Sequence, residues 1–269
     1  MRVAALQFDV RRGESAANLS EVERGLRRAA SERVELVVLP EMWPSSFPGP
    51  RADLARLVDA DRASWERVEL LSAELGLAVC GSGFGAVAND KPANRWVLLD
   101  RGARLAEYDK AHLFSPTAET ESFSGGRALP RTVSLRSVRT SGCICYDVRF
   151  PELTRRCFLD EAQLLCIPTQ WPATRASHFR ALMIGLAVTN QCFVIACNRT
   201  GTDVIGRREL VLDFPGRSLV IDPNGTVLAE GSSKDELVLA DIEPERASEM
   251  RRTVPVERDR RPDVYSPRA

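Results

Sequence analysis

The sequence predicts an α/β fold, and three observations carry that reading. Short continuous apolar runs, Leu36-Val37-Val38-Leu39 and Phe193-Val194-Ile195-Ala196-Cys197, read as strands buried on both faces. Residues 18–31 place Leu19, Val22, Leu26 and Ala29/Ala30 on one face of an amphipathic helix. Strand-like and helix-like stretches mix along all 269 residues with no repeat, low-complexity tract or linker, so 1–269 reads as one domain.

Taken in order, residues 2–8 read as the first strand and 18–31 as the first helix. Pro40 stops the run at Leu39, and Glu41 opens a Pro/Ser/Gly-rich loop reaching Pro50. Loops at strand ends commonly carry function. A helix over 63–75 and a strand over 77–83 follow. Residues 94–99 and 104–108 predict a hairpin about Asp100-Arg101-Gly102. The polar stretch 115–130 is too long for a simple turn and reads as a lid or binding loop. Residues 133–138 read as a strand, Thr140-Ser141-Gly142 as a turn, and Cys143-Ile144-Cys145 as a short strand end. A helix over 152–159 begins there, with Pro151 and Glu152 suited to its first turn. Then come a strand over 164–168, a long helix over 174–191 and the buried strand 193–197. Residues 199–215 read as an irregular, charged loop. Residues 218–222 and 226–229 predict a hairpin about Pro223-Asn224-Gly225. Residues 237–241 close the sheet, and a short helix over 244–251 precedes an extended tail, 254–269.

Composition excludes several function classes. Lys+Arg and Asp+Glu both number 37, so no net field favours nucleic acid or an anionic membrane. No apolar run is long enough to span a bilayer, and the first eight residues turn polar too soon for a secretory signal. Seven cysteines with no paired Cys-x-x-Cys spacing argue against a disulfide framework or zinc site and for a reducing cytoplasm. The two histidines, His112 and His178, lie far apart and have no ligand-like neighbours, so no metal is expected, and the cysteine chemistry set out below requires no cofactor.

Three stretches carry chemistry. Cys145 stands at a sharp strand-to-helix turn, where the strand holds a nucleophile still and the following N–H groups can bind an oxyanion. A lone cysteine is more often a small core residue, and Cys80, Cys157, Cys166, Cys192 and Cys197 sit in apolar contexts that fit that role. Cys143, two residues before Cys145, also reads as packing. What sets Cys145 apart is its company. Val38-Leu39-Pro40-Glu41-Met42-Trp43-Pro44 ends one strand in a carboxylate, and Glu107-Tyr108-Asp109-Lys110-Ala111-His112-Leu113-Phe114 places a lysine just past another. Glu41, Lys110 and Cys145 in that order, over nearly the whole chain, resemble the carbon–nitrogen hydrolase (nitrilase-like) superfamily.

The resemblance implies a four-layer α-β-β-α sandwich, with two mixed sheets face to face and helices outside. It implies a homodimer or higher homo-oligomer, with the 254–269 tail crossing to the partner. It implies that Cys145 attacks an amide carbonyl and that Glu41 takes the thiol proton and delivers one to the amine. Lys110 and the backbone N–H of Tyr146 then hold the oxyanion. A second glutamate belongs seven residues before a glycine: Glu119 fits, seven before Gly126, and Glu121 in the same loop is its rival. Asp147, Arg149 and Glu152 are expected to brace the turn as an ion-pair and hydrogen-bond network.

The stretch Thr169-Gln170-Trp171-Pro172-Ala173-Thr174-Arg175, with Asn198-Arg199 and Phe214-Pro215-Gly216-Arg217-Ser218, resembles the omega-amidase branch. That branch cleaves the terminal amide of short 2-oxo dicarboxylic acid monoamides. Such a substrate needs a cation for its far carboxylate; Arg175 is the candidate, with Arg199 the weaker one, and Trp171 and Phe114 as apolar walls. Two departures bear on the substrate: Gly185 to Asn190 lacks an arginine and a glutamate common in the family, and 202–214 is long and charged. A deaminated-glutathione amidase, an N-carbamoyl amino acid hydrolase and, outside the class, a non-catalytic interaction scaffold are the competing readings.

Overall fold

The computed structural model describes residues 1–49, 52–88, 90–205 and 209–265. Its strands are β1 (Arg2–Gln7), β2 (Leu36–Val38), β3 (Ala78–Ala88), β4 (Lys91–Asp100), β5 (Ala103–Asp109), β6 (Val133–Leu135) and β7 (Val138–Gly142). They continue as β8 (Leu164–Thr169), β9 (Phe193–Asn198), β10 (Thr200–Ile205), β11 (Leu210–Pro215), β12 (Leu219–Ile221), β13 (Val227–Glu230) and β14 (Glu236–Asp241). The helices are α1 (Ser15–Ser31), α2 (Leu54–Leu75), α3 (Glu119–Ser122), α4 (Pro151–Leu159), α5 (Ala176–Asn190), α6 (Glu245–Thr253), α7 (Val256–Asp259) and α8 (Pro262–Tyr265).

Two mixed six-stranded sheets form the centre, ordered β14-β1-β2-β3-β4-β5 and β13-β12-β9-β8-β7-β6. Alternation along each strand builds the layers. Val3 and Ala5 of β1, Leu36 and Val38 of β2, and Trp96 and Leu98 of β4 face the second sheet, in one core with Leu165, Ile195 and Val220. Their neighbours Ala4, Leu6, Val37, Val97 and Leu99 face outward, onto Val22 and Leu26 of α1 and Val68 and Leu71 of α2. On the far side Leu153 and Cys157 of α4 and Phe179 and Met183 of α5 cover the second sheet. The architecture is thus the α-β-β-α sandwich, and it explains the unbroken apolar runs: central strands have no solvent face.

Four expectations need correction. Helix α2 begins at Leu54, nine residues before the expected 63, with the Asp53 carboxylate accepting from the Arg56 N–H. Its early turns are half-buried and put Asp61 on the covered face, which breaks the apolar period. Thr140-Ser141-Gly142 is not a turn: these residues pair with Leu164, Leu165 and Cys166 of β8. The turn lies at Arg136 and Ser137, both at positive φ (48° and 76°). Gly142 is there for space, since a Cβ would stand 2.5 Å from Trp96 Nε1. The irregular loop over 199–215 is instead the β10–β11 ribbon, with 206–208 outside the described residues. The tail is not extended but turns twice as α7 and α8; 266–269 lie outside the described residues.

Asp61 is a buried carboxyl with incomplete hydrogen bonding. It is 1% exposed, its Oδ2 has no hydrogen-bond partner, and burial pushes its pKa up to about 8. The folded chain therefore keeps the proton that the unfolded chain loses near about pH 4. A raised folded pKa means stability that is complete below the unfolded value and is lost as pH climbs through about 8. Between about pH 5 and about pH 9 the native protein should lose on the order of 3 kcal/mol more than Asp61→Asn, read from denaturant midpoints. Parallel curves for the two proteins would contradict this.

Candidate active site

Glu41 follows β2 and is 1% exposed. Its carboxylate accepts three hydrogen bonds and keeps one acceptor site on Oε2: Oε1 accepts from Lys110 Nζ at 2.8 Å and Asn94 Nδ2 at 2.9 Å, and Oε2 accepts from the Gln170 N–H at 3.0 Å. The Gln170 side-chain Nε2 adds a bond to the Glu41 carbonyl at 2.9 Å. Lys110 follows β5, where its N–H donates to the Asn94 carbonyl of β4 at 2.9 Å, so the β4–β5 pairing aims it inward.

Lys110 Nζ also donates to both oxygens of Glu119 at 2.9 Å. Glu119, 3% exposed at the start of α3, accepts the Phe114 N–H at 2.6 Å as well. Glu119, and not Glu121, is therefore the carboxylate on Lys110. Gly126 anchors the end of this loop against β5: its N–H donates to the Lys110 carbonyl at 2.8 Å, and a Cβ would overlap the Asp109 carbonyl.

Cys145 opens a one-turn 3-10 helix, Cys145–Arg149, three residues past the end of β7. Its φ of 43° is left-handed, a conformation costly for a residue with a Cβ and often kept at functional turns. Asp147 holds it there. This buried carboxylate accepts from the Ile144 N–H at 3.1 Å, Tyr108 Oη at 3.1 Å and the His112 N–H at 3.0 Å. The turn is thereby tied to the segment that carries Lys110. Cys145 Sγ lies 3.9 Å from the Gln170 carbonyl.

The charges set the resting state. Burial pushes the Cys145 thiol well up, the Glu41 carboxylate pushes it further, and Lys110 only partly opposes them. Together these favour the neutral thiol of Cys145. Burial also raises Glu41, against the pull of Lys110. Burial alone would lower Lys110, but Glu119 and Glu41 outweigh it, so Lys110 stays charged.

Lys110, Glu41, Glu119 and Cys145 border one cavity of about 40 Å3. That is room for a few water-sized groups. Phe114 and Trp171 line it as expected, together with Phe47, Tyr146 and Phe214. Arg175 reaches it with its guanidinium 5.6 Å from the Phe114 ring centre. Arg199 does not. It is wholly buried and bound to Asp9 and Asp203 at 2.8 Å each, so it is no substrate cation. Arg149 departs the other way. In place of bracing the turn with Asp147, it stacks 4.9 Å over the Trp171 ring and lines the cavity. Glu152 is exposed on α4. Among the described residues neither Arg149 nor Arg175 pairs with a carboxylate. A larger groove of about 1250 Å3 between the first turns of α1 and α2 contains none of these groups.

Sequence reasoning missed Asn94 and Gln170, and gave Arg149 a bracing role in place of its position at the cavity. The first two had a signal: a carboxamide in a buried strand or at its end must find partners. Arg149 had none beyond its place in the turn.

The model of the carbon–nitrogen hydrolase family matches residues 2–252. The chain belongs to that family. The hydrolase is 34% identical over 265 residues to a 2-oxoglutaramate amidase of Bacillus subtilis (strain 168), covering 98% of both chains. Among solved structures it matches a glutamate-to-glutamine mutant of an amidase from Nesterenkonia sp. AN1, in which acrylamide has added to the active-site cysteine. The identity is 25% and the TM-score 0.82, over 96% of the hydrolase and 99% of that chain. A carbon–nitrogen hydrolase from Helicobacter pylori G27 shares the fold with a TM-score of 0.90 at 24% identity, over 98% and 96%. The hydrolase acts on amide C–N bonds.

Proposed function

We propose that the hydrolase releases ammonia from the terminal carboxamide of a short 2-oxo dicarboxylic acid monoamide, of the 2-oxoglutaramate type. The observation that carries this reading is a small cavity with the thiol at one side and two guanidinium groups, Arg149 and Arg175, free of carboxylate partners among the described residues. A planar guanidinium suits a carboxylate or a carboxylate with an adjacent oxo group. The relationship to a 2-oxoglutaramate amidase supports the same choice.

In this reading Glu41 removes the thiol proton as Cys145 Sγ attacks the amide carbon. Lys110 Nζ and the Tyr146 N–H hold the tetrahedral oxyanion, where a buried cation is worth far more than in water. Glu41 passes its proton to the departing nitrogen, which leaves as ammonia with the C–N bond broken and a thioester formed. Glu41 then deprotonates a water that attacks the thioester, releasing the carboxylate and restoring the thiol. Glu119 fixes Lys110 so that its charge serves the oxyanion, and that charge opposes the upward push that burial gives the Glu41 carboxyl. All seven cysteines are free, which supports a cytoplasmic location.

A substrate panel tests the proposal. The expected kcat/KM is highest for 2-oxoglutaramate and 2-oxosuccinamate, above deaminated glutathione, N-carbamoyl amino acids and uncharged aliphatic amides. Arg175→Met and Arg149→Met should each raise KM for 2-oxoglutaramate at least about tenfold and leave uncharged amides unaffected. Equal kcat/KM for an uncharged amide and 2-oxoglutaramate would overturn the assignment.

A further inference from the structure

Arg199 has the chemistry of a substrate clamp but not the access. Its guanidinium is wholly buried and each nitrogen is engaged: Nη2 with Asp9 at 2.8 Å, Nη1 with Asp203 at 2.8 Å and Gln170 Oε1 at 3.2 Å, Nε with the Thr200 carbonyl at 3.1 Å. Two carboxylates, Asp9 and Asp203, the latter shared with Arg12 at 3.8 Å, more than offset its charge, so what it transmits to Gln170 is direction. A guanidinium only donates. It requires the oxygen of the Gln170 amide to face it, and so turns Nε2 toward Glu41, whose carbonyl it binds at 2.9 Å. The main chain of Gln170 completes the arrangement: its N–H holds Glu41 Oε2 at 3.0 Å and its carbonyl faces the Cys145 sulfur at 3.9 Å.

We infer that Arg199 is a positioning residue for Glu41, acting through the side chain of Gln170. The inference rests on the proposed role of Glu41 as the base. It joins the base to the β10–β11 ribbon as one rigid unit, because Asp203 lies on β10 and the guanidinium stacks 4.6 Å over the Phe214 ring of β11. Phe214 and Ile205 of that ribbon line the cavity. The wall that meets the acyl group and the carboxylate that moves the proton therefore keep a fixed separation. A displacement of the base by about 1 Å is enough to cost on the order of a hundredfold in rate.

The test measures kcat and KM for 2-oxoglutaramate in Gln170→Met, Arg199→Lys and the double variant, per native Cys145 thiol, counted as chains that iodoacetamide labels at Cys145 and at none of the six buried cysteines. Each single variant should lower kcat per thiol about 10- to 100-fold with KM within about twofold of native. The double should be no slower than the slower single, because both changes break one chain. A role in folding alone would lower the Tm and open the six buried cysteines to iodoacetamide, and leave kcat per native Cys145 thiol intact. Gln170→Met keeps the buried ion pairs of Arg199, so it reports even if Arg199→Lys does not fold. A kcat per thiol within about twofold of native in Gln170→Met, or losses that multiply in the double, overturns the inference. Glu41→Gln separates the two claims: if it is inert while Gln170→Met is native-like, the relay alone fails, and if it is active, the base assignment fails and the relay with it.

Discussion

Cys145→Ala should release ammonia from 2-oxoglutaramate at least about a thousandfold more slowly than the native protein. The sulfur is the atom that forms and breaks the thioester, and no other cysteine can replace it. Cys80, Cys143, Cys157, Cys166, Cys192 and Cys197 are each no more than 1% exposed, packed in the core between and behind the sheets. The substitution should spare the fold, because Cys145 is only partly buried and alanine meets the same demand at a φ of 43°. A Tm within a few degrees of native, beside the lost activity, is the expected pair of results. Retention of more than about a tenth of the native rate by a folded Cys145→Ala protein would remove the thiol from the chemistry.

The second large effect concerns Lys110, and it should appear in stability as well as rate. Lys110 is the cation between two carboxylates, Glu41 and Glu119, all three with side chains 1% exposed. Lys110→Met would leave two like charges facing each other in the interior. Removing one partner of a buried ion pair costs about 3–5 kcal/mol, and here the stranded charge is doubled. The loss of an oxyanion donor adds a rate decrease of about a hundredfold or more. Adding Glu119→Gln removes one stranded charge, so the double variant should recover much of the stability and none of the activity. Denaturant midpoints and ammonia release on the same samples decide this. A Lys110→Met protein as stable as native would mean that the three groups do not form the charge cluster described.

What the sequence made legible follows from what leaves a periodic or combinatorial trace. Strands β2, β8 and β9 were readable because a strand covered on both faces has no polar alternation. Glu41, Lys110, Cys145 and Glu119 stand in motifs whose order and spacing single them out, and the structure brings all four to one cavity. The misread elements hide for local reasons. Gly142 looks like a turn residue but serves the close approach of β8 and Trp96. The turn actually used, Arg136-Ser137, contains neither glycine nor proline. The first turns of α2 bury little apolar surface. The β10–β11 ribbon is charged because much of it is solvated, and its charge conceals its pairing.

The arginines show the sharper limit. Arg149, Arg175 and Arg199 are alike as letters, and only tertiary partners tell them apart. Arg199 meets Asp9 across a separation of 190 residues and is thereby removed from solvent. Arg149 slides over Trp171 and faces the cavity. Gln170 matters through contacts to a residue 129 positions away. No local pattern encodes distances of that length along the chain.

The central claim is that turnover passes through an acyl group on Cys145. The direct measurement is peptide mass spectrometry of the native protein quenched in acid while it is turning over 2-oxoglutaramate. The account predicts a peptide containing Cys145 that carries the acyl residue of the substrate less ammonia, and that disappears once the substrate is exhausted. Steady ammonia release with no acyl group on Cys145, or with the acyl group on another side chain, would contradict it.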